Sequence, residues 1–426
     1  MFKPVIVSVL AFLFAIPSLR SESLIPEASP DSSKKTLLIL SSHGGYGHSA
    51  ACNTLQKLVG DLYNIKVIYP IDQLRIWGVP CVEDVVYNMM IKKGWIRSLN
   101  FLSRHVAPNV FRSHHSKLEK IIRRNIDTYQ PDLVISLIPF VNYSASEAAR
   151  KKEVPYLLIT TDNDLKNWVC GFEKLKDPHF KITIGFDLPT TRDLLRKYQI
   201  PDEMIETIGL PLRPEFIAQK DEALLREEYH IPSSKPVVLI MMGGAGGKTA
   251  YDYARRVASL EFNTHLIVVC GRNEKLKKDL SRLKLHEGNT MTLLGFTDRV
   301  ADLMTIADLV ITKPGPGTIN EAIAKQLPVL VDNTDISLFW ERANSDLVVR
   351  YGIGHKIREF KDVKNILKTY LNEELARSRM EDSFANVPPN LFHERIVEVI
   401  AEMVNKPDSV VASPKSARSG VDALAL

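Results

Sequence analysis

The sequence predicts an α/β chain of two doubly wound domains facing each other across a cleft. Three observations carry this reading. Short apolar, β-branched runs alternate with helical patterns along most of the 426 residues. The runs fall into two series of about equal size. Between them, LPLRPEFIAQKDEALLREEYHIPSSKP (210–236) ends one series in prolines and starts the next with a charged helix.

In the first series the strand candidates are TLLIL (36–40), IKVIYP (65–70), DLVISLI (132–138), YLLITT (156–161), KITIGF (181–186) and ETIGLP (206–211). The second holds PVVLIMM (236–242), THLIVVC (264–270), MTLLGF (291–296), ADLVITK (307–313) and LPVLVD (327–332). Continuous apolar runs of this length suit parallel strands buried on both faces, and the intervening helices make each half Rossmann-like. The expected units are a first domain at 34–218 and a second domain at 219–405. A cleft between two such units is the expected binding site.

The ends read differently. MFKPVIVSVLAFLFAIPSLRSES has one early lysine, an apolar run from Val5 to Ile16 and small residues at Ser21 and Ser23. That is the pattern of a signal peptide or short anchor, and shorter than the roughly 20 apolar residues of a membrane span. Residues 1–33 are set aside as this segment and its linker, and 406–426, rich in Ser, Pro and Ala, as a disordered tail.

Composition excludes several classes. Charged residues make up 25% and are mixed, against wholesale disorder. The net charge of +5 is mild, and no nucleic-acid motif is present, so nucleic acid is not an expected partner. Cys52, Cys81, Cys170 and Cys270 are far apart, without zinc-ligand spacing, and read as free thiols.

Ligands of doubly wound sheets bind at the carboxyl ends of the strands. Four segments stand there: His43-Gly44-Gly45-Tyr46-Gly47-His48, Thr160-Thr161-Asp162, Gly243-Gly244-Ala245-Gly246-Gly247-Lys248-Thr249 and Lys313-Pro314-Gly315-Pro316-Gly317-Thr318. The third ends like a Walker A loop, but Met242 stands where that motif requires glycine. Glycines opening a helix still present free N–H groups and a positive dipole end to a diphosphate. Asp162-Asn163-Asp164 has the form of a metal-binding DxD. Such Asx-rich strand ends are common turns, and Asp162 reads better as a single carboxylate facing the cleft.

Taken together, the glycine-His turn, GLPLRPEF (209–216) and KPGPGTINEAIAKQLPVLV (313–331) resemble the two-domain GT-B glycosyltransferases. Within these the chain is most similar to the monogalactosyldiacylglycerol synthases and processive diacylglycerol glucosyltransferases. They are relatives of the enzyme that adds N-acetylglucosamine to lipid I in peptidoglycan synthesis. The similarity runs from about Thr36 to Asn344.

The resemblance implies that His48 faces the acceptor hydroxyl, while Gly44, Gly45 and Gly47 let the acceptor approach the backbone. It places Gly243, Gly244 and Gly246 by the donor diphosphate and Phe296 near uracil. Gly317 and Thr318 fall on phosphate, Glu321 on the ribose hydroxyls, and Glu341 and Asn344 near the donor sugar. Transfer from a UDP-sugar needs a base at the acceptor hydroxyl and charge stabilisation for departing UDP. Asp162 is the preferred base, with His48 as its orienting partner or the alternative base. A helix-start cap also explains His48, and a dipole-favoured first turn explains Glu321. No metal or other cofactor is expected.

Two departures stand out. Trp340 occupies the position of a glutamine that reads sugar hydroxyls, and TDNDLKNW lacks the family's Cys-His before tryptophan. On the membrane side, Ile91, Trp95, Leu99, Leu102 and Val106 share one face of a helical reading of 91–106, with Lys93, Arg97 and Arg104 opposite. That pattern fits a core-facing helix or one lying on an anionic membrane surface, and RSHHSKLEKIIRR (112–124) adds positive charge.

The resulting expectation is a membrane-associated, inverting transferase moving a hexose from a UDP-sugar to diacylglycerol. Rivals are an N-acetylglucosaminyltransferase on another lipid acceptor, a UDP-N-acetylglucosamine 2-epimerase, and a non-catalytic sugar-nucleotide binder.

Overall fold

The computed structural model describes residues 31–44, 47–76, 79–81, 83–175, 180–244, 246–247, 249–372 and 374–405. Residues 1–30 of the end segment expected at 1–33 and the tail expected at 406–426 lie outside these, as do Gly45, Ala245 and Lys248.

Two parallel six-stranded sheets form the molecule. The first comprises β1 (Thr36–Leu40), β2 (Asn64–Ile68), β3 (Leu133–Ser136), β4 (Tyr156–Ile159), β5 (Lys181–Ile184) and β6 (Ile205–Thr207), in the order β2-β1-β3-β4-β5-β6. The second comprises β7 (Val237–Met241), β8 (His265–Val269), β9 (Thr290–Leu294), β10 (Leu309–Thr312), β11 (Val329–Asp332) and β12 (Gly354–Ile357), in the order β9-β8-β7-β10-β11-β12. Both are doubly wound, and the order reverses at β1/β3 and at β7/β10.

Most central strand positions are apolar because helices cover both faces of each sheet, while edge strands such as Asn64–Ile68, Ile205–Thr207 and Gly354–Ile357 carry polar residues. Leu38 and Leu40 pack into one layer with Ile122 and Val134, while Leu37 and Ile39 pack into the opposite layer. This is the period-two alternation of a strand read from both sides. Register follows, with Leu37 beside Ile65 on β2 and Leu133 on β3. The second sheet has one continuous core that includes Val238, Ile267, Val310 and Leu330.

Three features depart from the sequence reading. First, β12 and a small antiparallel pairing of Arg75–Ile76 with Val79–Pro80 were not expected. The strand Gly354–Ile357 offers only a glycine and one isoleucine to the core, so it carries little apolar signal.

Second, the helix Phe392–Asn405 was expected with the second domain but packs on the first. Phe392, Ile396, Val399, Ile400 and Met403 close the layer containing Leu37, Ile39 and Leu55. The chain therefore crosses between the sheets twice. Asn390 ties the crossings together, donating to the Leu210 carbonyl at 2.9 Å and to Asn320 Oδ1 at 3.1 Å. Gly209, at φ +94, makes room for it, since a Cβ there would lie 2.4 Å from Asn390 Oδ1.

Third, residues 91–106 do not form one helix. The helix Glu83–Lys93 stops at Gly94, at φ 70, and Ile96–Phe101 starts anew before a π-helical stretch at Leu102–Val106. Leu99 is buried with Met90 and Leu338 of the second domain, and Trp340 packs on the same cluster. The apolar face read from the sequence thus splits. Leu99 meets the other domain with Ile91 and Leu102 packed on the same cluster, while Trp95 faces outward.

Candidate active site

The two reversal points face one cleft, and the glycine turns sit beside them. The helix Gly47–Val59 opens directly after the first turn, carrying His48 in its first residues. A ring N–H of His48 donates to the carbonyl of Leu137, just past β3. Its Nδ1 lies 3.2 Å from Thr161 Oγ1, just past β4. The imidazole thus bridges the carboxyl ends of three strands. Burial pushes its pKa down to about 4, so it is neutral at physiological pH.

Asp162 follows Thr161. Burial pushes its pKa up to about 7, opposed by a hydrogen bond from the Trp168 indole and reinforced by the nearby charges of Glu341 and Asp164. A carboxyl poised there exchanges protons at working pH.

Trp168 is fully buried and held from behind. Asn142 Nδ2 donates to the Trp168 carbonyl at 2.9 Å, while Asn142 Oδ1 accepts from Ser136 Oγ at 2.7 Å and Tyr156 Oη at 2.9 Å. The same indole stands edge-on to His48, with ring centroids 6.1 Å apart. His48, Thr161, Asp162 and Trp168 therefore form one contact chain.

The loop after β7 supplies Gly243 at φ +80 and Gly246 at φ +68. A Cβ on Gly246 would lie 2.1 Å from the Cys270 carbonyl, so only glycine closes this turn. Gly244 accepts from Arg272 N at 3.1 Å. Across the reversal point, Lys313 follows β10. A Cβ on Gly243 would meet Lys313 Cε at 3.0 Å, and Lys313 Nζ pairs with Glu341 at 3.0 Å.

The helix Pro316–Ala324 starts here with Gly315 as its N-cap. A Cβ on Gly317 would find no atom within 4 Å, so its first turn is open. Thr318 is half-buried beside it. One turn on, Glu321 accepts from Arg213 Nε at 3.0 Å, and burial lifts its pKa to about 6.

The remaining sequence candidates are placed as follows. Gly47 is exposed, and a Cβ there would also meet nothing within 4 Å. Gly44 donates to Ser42 Oγ at 2.9 Å. Phe296 is outward-facing beneath the Arg272 guanidinium, 4.7 Å from the ring centre. Asn344 is wholly buried, accepting from Asn163 Nδ2 at 2.8 Å and donating to the Pro314 carbonyl at 2.9 Å. Among the described residues no group of three or more His, Cys, Asp or Glu could hold a metal ion, and Asp164 instead accepts from Lys166 N at 3.0 Å.

Sequence reasoning overlooked Trp168, Thr161, Arg213 and Asn163 as partners of these groups. All four lie within segments quoted above, TDNDLKNW (161–168) and GLPLRPEF (209–216), but their partners are distant in sequence.

Residues 237–334, which run from β7 past β11, match the glycosyltransferase family 28 C-terminal domain. Monogalactosyldiacylglycerol synthase 1 of Arabidopsis thaliana is 26% identical over 416 residues, covering 89% of this chain and 73% of that protein. Residues 237–334 thus give the chain a C-terminal domain of the family 28 glycosyltransferase type. The processive diacylglycerol beta-glucosyltransferase of Bacillus cereus (strain B4264) is 23% identical to this glycosyltransferase over 340 residues, covering 74% of its chain and 82% of the relative. The crystal structure of Acinetobacter baumannii MurG shares the GT-B fold. Its TM-score is 0.57 at 15% identity, covering 87% of this chain and all (100%) of that one. Among the described residues of the glycosyltransferase, no helix is long and apolar enough to cross a membrane.

Proposed function

We propose that the protein transfers a hexose from a UDP-sugar to diacylglycerol with inversion at the anomeric carbon. The observation that carries this reading is Asp162, a carboxyl held near neutral pKa on one wall of the cleft, opposite a glycine-lined helix start on the other. Asp162 accepts the proton of the acceptor hydroxyl as that oxygen attacks the anomeric carbon. The bond from that carbon to the β-phosphate oxygen breaks, and the electron pair leaves with UDP. Charge developing on the diphosphate falls on the N–H groups at Gly317 and Thr318 and on Lys313.

His48, with its low pKa and its contacts to Leu137 and Thr161, serves as a neutral orienting group for the acceptor rather than as the base. In this reading Gly44 and Gly47 floor the acceptor side. Gly243, Gly244 and Gly246 flank the diphosphate, Phe296 lies by uracil, Glu321 meets ribose, and Glu341 reaches the donor sugar.

The acceptor lipid stays in the bilayer, so the first domain must reach the membrane surface. Exposed Trp95 and Phe101, with Lys92, Lys93, Arg97 and Arg104 exposed on the same segment, form the face we assign to anionic lipid. The apolar run Val5–Ile16 supplies a further membrane attachment in this scheme.

The test is turnover of a panel of UDP-sugars on liposomes containing diacylglycerol, following UDP release and the lipid product by mass. A hexosyl-diacylglycerol that disappears in Asp162→Asn supports the reading and names the sugar. UDP release without liposomes, or turnover only on another lipid acceptor, overturns it.

A further inference from the structure

The resemblance of Glu341 and Asn344 to a donor-sugar motif assigns both side chains to the sugar, yet only Glu341 has a carboxylate turned toward the cleft groups Lys313 and Asp162. Asn344 is 0% exposed, and both ends of its carboxamide are committed. Its Oδ1 accepts from Asn163 Nδ2 at 2.8 Å, and its Nδ2 donates to the Pro314 carbonyl at 2.9 Å.

These two partners lie on opposite walls. Asn163 follows Asp162 in the loop after β4 of the first sheet. Pro314 precedes Gly315, the N-cap of the helix that presents Gly317 and Thr318. One carboxamide therefore joins the loop of the acceptor-side carboxyl to the start of the phosphate-side helix.

The Asn163 end has no alternative. It is 7% exposed, and among the described residues its one side-chain hydrogen bond is the bond to Asn344, since its Oδ1 has no partner. The space it occupies is left by Gly185, where a Cβ would come within 2.6 Å of Asn163 Oδ1. A directional bond between two buried amides fixes distance and angle, which apolar packing across a cleft does not.

We infer that Asn344 and Asn163 form a clasp across the cleft. It sets the position of Asp162 relative to the diphosphate helix, and Asn344 is a positioning residue rather than a ligand of the donor sugar. The catalytic part of this inference rests on the transfer reading above, and the clasp itself does not.

Amide hydrogen exchange by mass spectrometry on the full chain tests the clasp without turnover. Asn163→Ala and the near-isosteric, uncharged Asn163→Leu remove the bond from the first domain. Both are expected to speed exchange at least tenfold in residues 313–319 of the second domain. Asn344→Ala is expected to do the same in residues 160–168, and the double substitution to add nothing to either single one. Exchange changes confined to each variant's own domain, or additive effects, overturn the clasp.

In parallel, UDP affinity by calorimetry is expected to stay within twofold in Asn163→Leu while kcat falls at least tenfold. An unchanged kcat, or a raised donor KM with kcat retained in Asn344→Ala, overturns the positioning role and returns Asn344 to the sugar. If the wild-type chain turns over no UDP-sugar, the transfer reading fails and the exchange result still decides the clasp.

Discussion

Arg213 turns two guanidinium nitrogens onto one oxygen of Glu321, with Nε at 3.0 Å and Nη2 at 2.9 Å. The arginine belongs to the first crossing between the sheets, and the glutamate to the helix Pro316–Ala324. Burial alone would lift the Glu321 pKa further, and Arg213 holds it to about 6. On the proposed assignment of Glu321 to ribose, it is the ionised carboxylate that accepts from both hydroxyls. Arg213→Gln is therefore expected to move this titration upward and weaken UDP binding most at mildly acidic pH. The expected loss is about tenfold at pH 6.5, roughly one charge-assisted hydrogen bond, with a smaller loss at pH 8. Calorimetry across that range reads it, and a pH-independent loss would contradict it.

Asp162 exposes a conflict between stability and activity. Its folded pKa of about 7 lies above the ordinary 3.8, so the fold prefers the protonated form. The stability it contributes is full below about pH 4 and is lost as pH rises toward 7. Asp162→Asn removes that loss. It is expected to stabilise the protein at pH 8 by on the order of 2 kcal/mol, less than full linkage because the side chain is part exposed. The same change lowers kcat by about 10² or more. Thermal melts at pH 5 and pH 8 check the sign, since the gain should shrink at the lower pH.

Two glycines on the second domain are glycine for different reasons. Gly246→Ala would drive a Cβ into the Cys270 carbonyl at a positive φ, and is expected to cost several kcal/mol, on the order of 3, in unfolding free energy. Gly317→Ala meets nothing and sits in a helix, so the fold should hold or gain slightly. Its cost should appear in UDP affinity instead, because the methyl occupies the open first turn. Denaturant unfolding and UDP titration on the two variants should give opposite patterns.

Much of this architecture could be read from the chain. Each of the eleven apolar runs overlaps an observed strand, because a strand covered on both faces is apolar at every position and needs no long-range information to recognise. The glycine turns were legible for a similar local reason. What stayed hidden depends on partners far away in sequence. Nothing near Asn344 announces a bond to Asn163, 181 positions earlier. The periodicity of 91–106 is the same whether Leu99 faces lipid or Leu338. The 392–405 helix shows an apolar face without saying which sheet it covers.

Trp340 stands where relatives of this type were expected to hold a sugar-reading glutamine, and its side chain is engaged elsewhere. It packs with Met90, Leu99 and Leu338 and lies edge-on to Phe339, at 4.9 Å between ring centres. Asn100 reinforces this docking, donating to the Ser337 carbonyl and accepting from Phe339 N, both at 2.9 Å. Trp340→Gln is expected to lower stability by about 2 kcal/mol as the cluster loses an aromatic wall. It should leave the kcat/KM ratio of UDP-galactose to UDP-glucose within threefold of the parent. A large change in that ratio would place the side chain at the sugar.

The helix Phe392–Asn405 closes a layer of the domain whose first strand begins at Thr36. During synthesis, that layer stays uncovered until Phe392–Asn405 has left the ribosome. The core of the second domain ends at Phe384, so it can be completed before Phe392–Asn405 emerges although most of it is made later than the first sheet. Leu37, Ile39 and Leu55 therefore wait longest for their cover, and the amino-terminal half is the one most in need of protection from a chaperone.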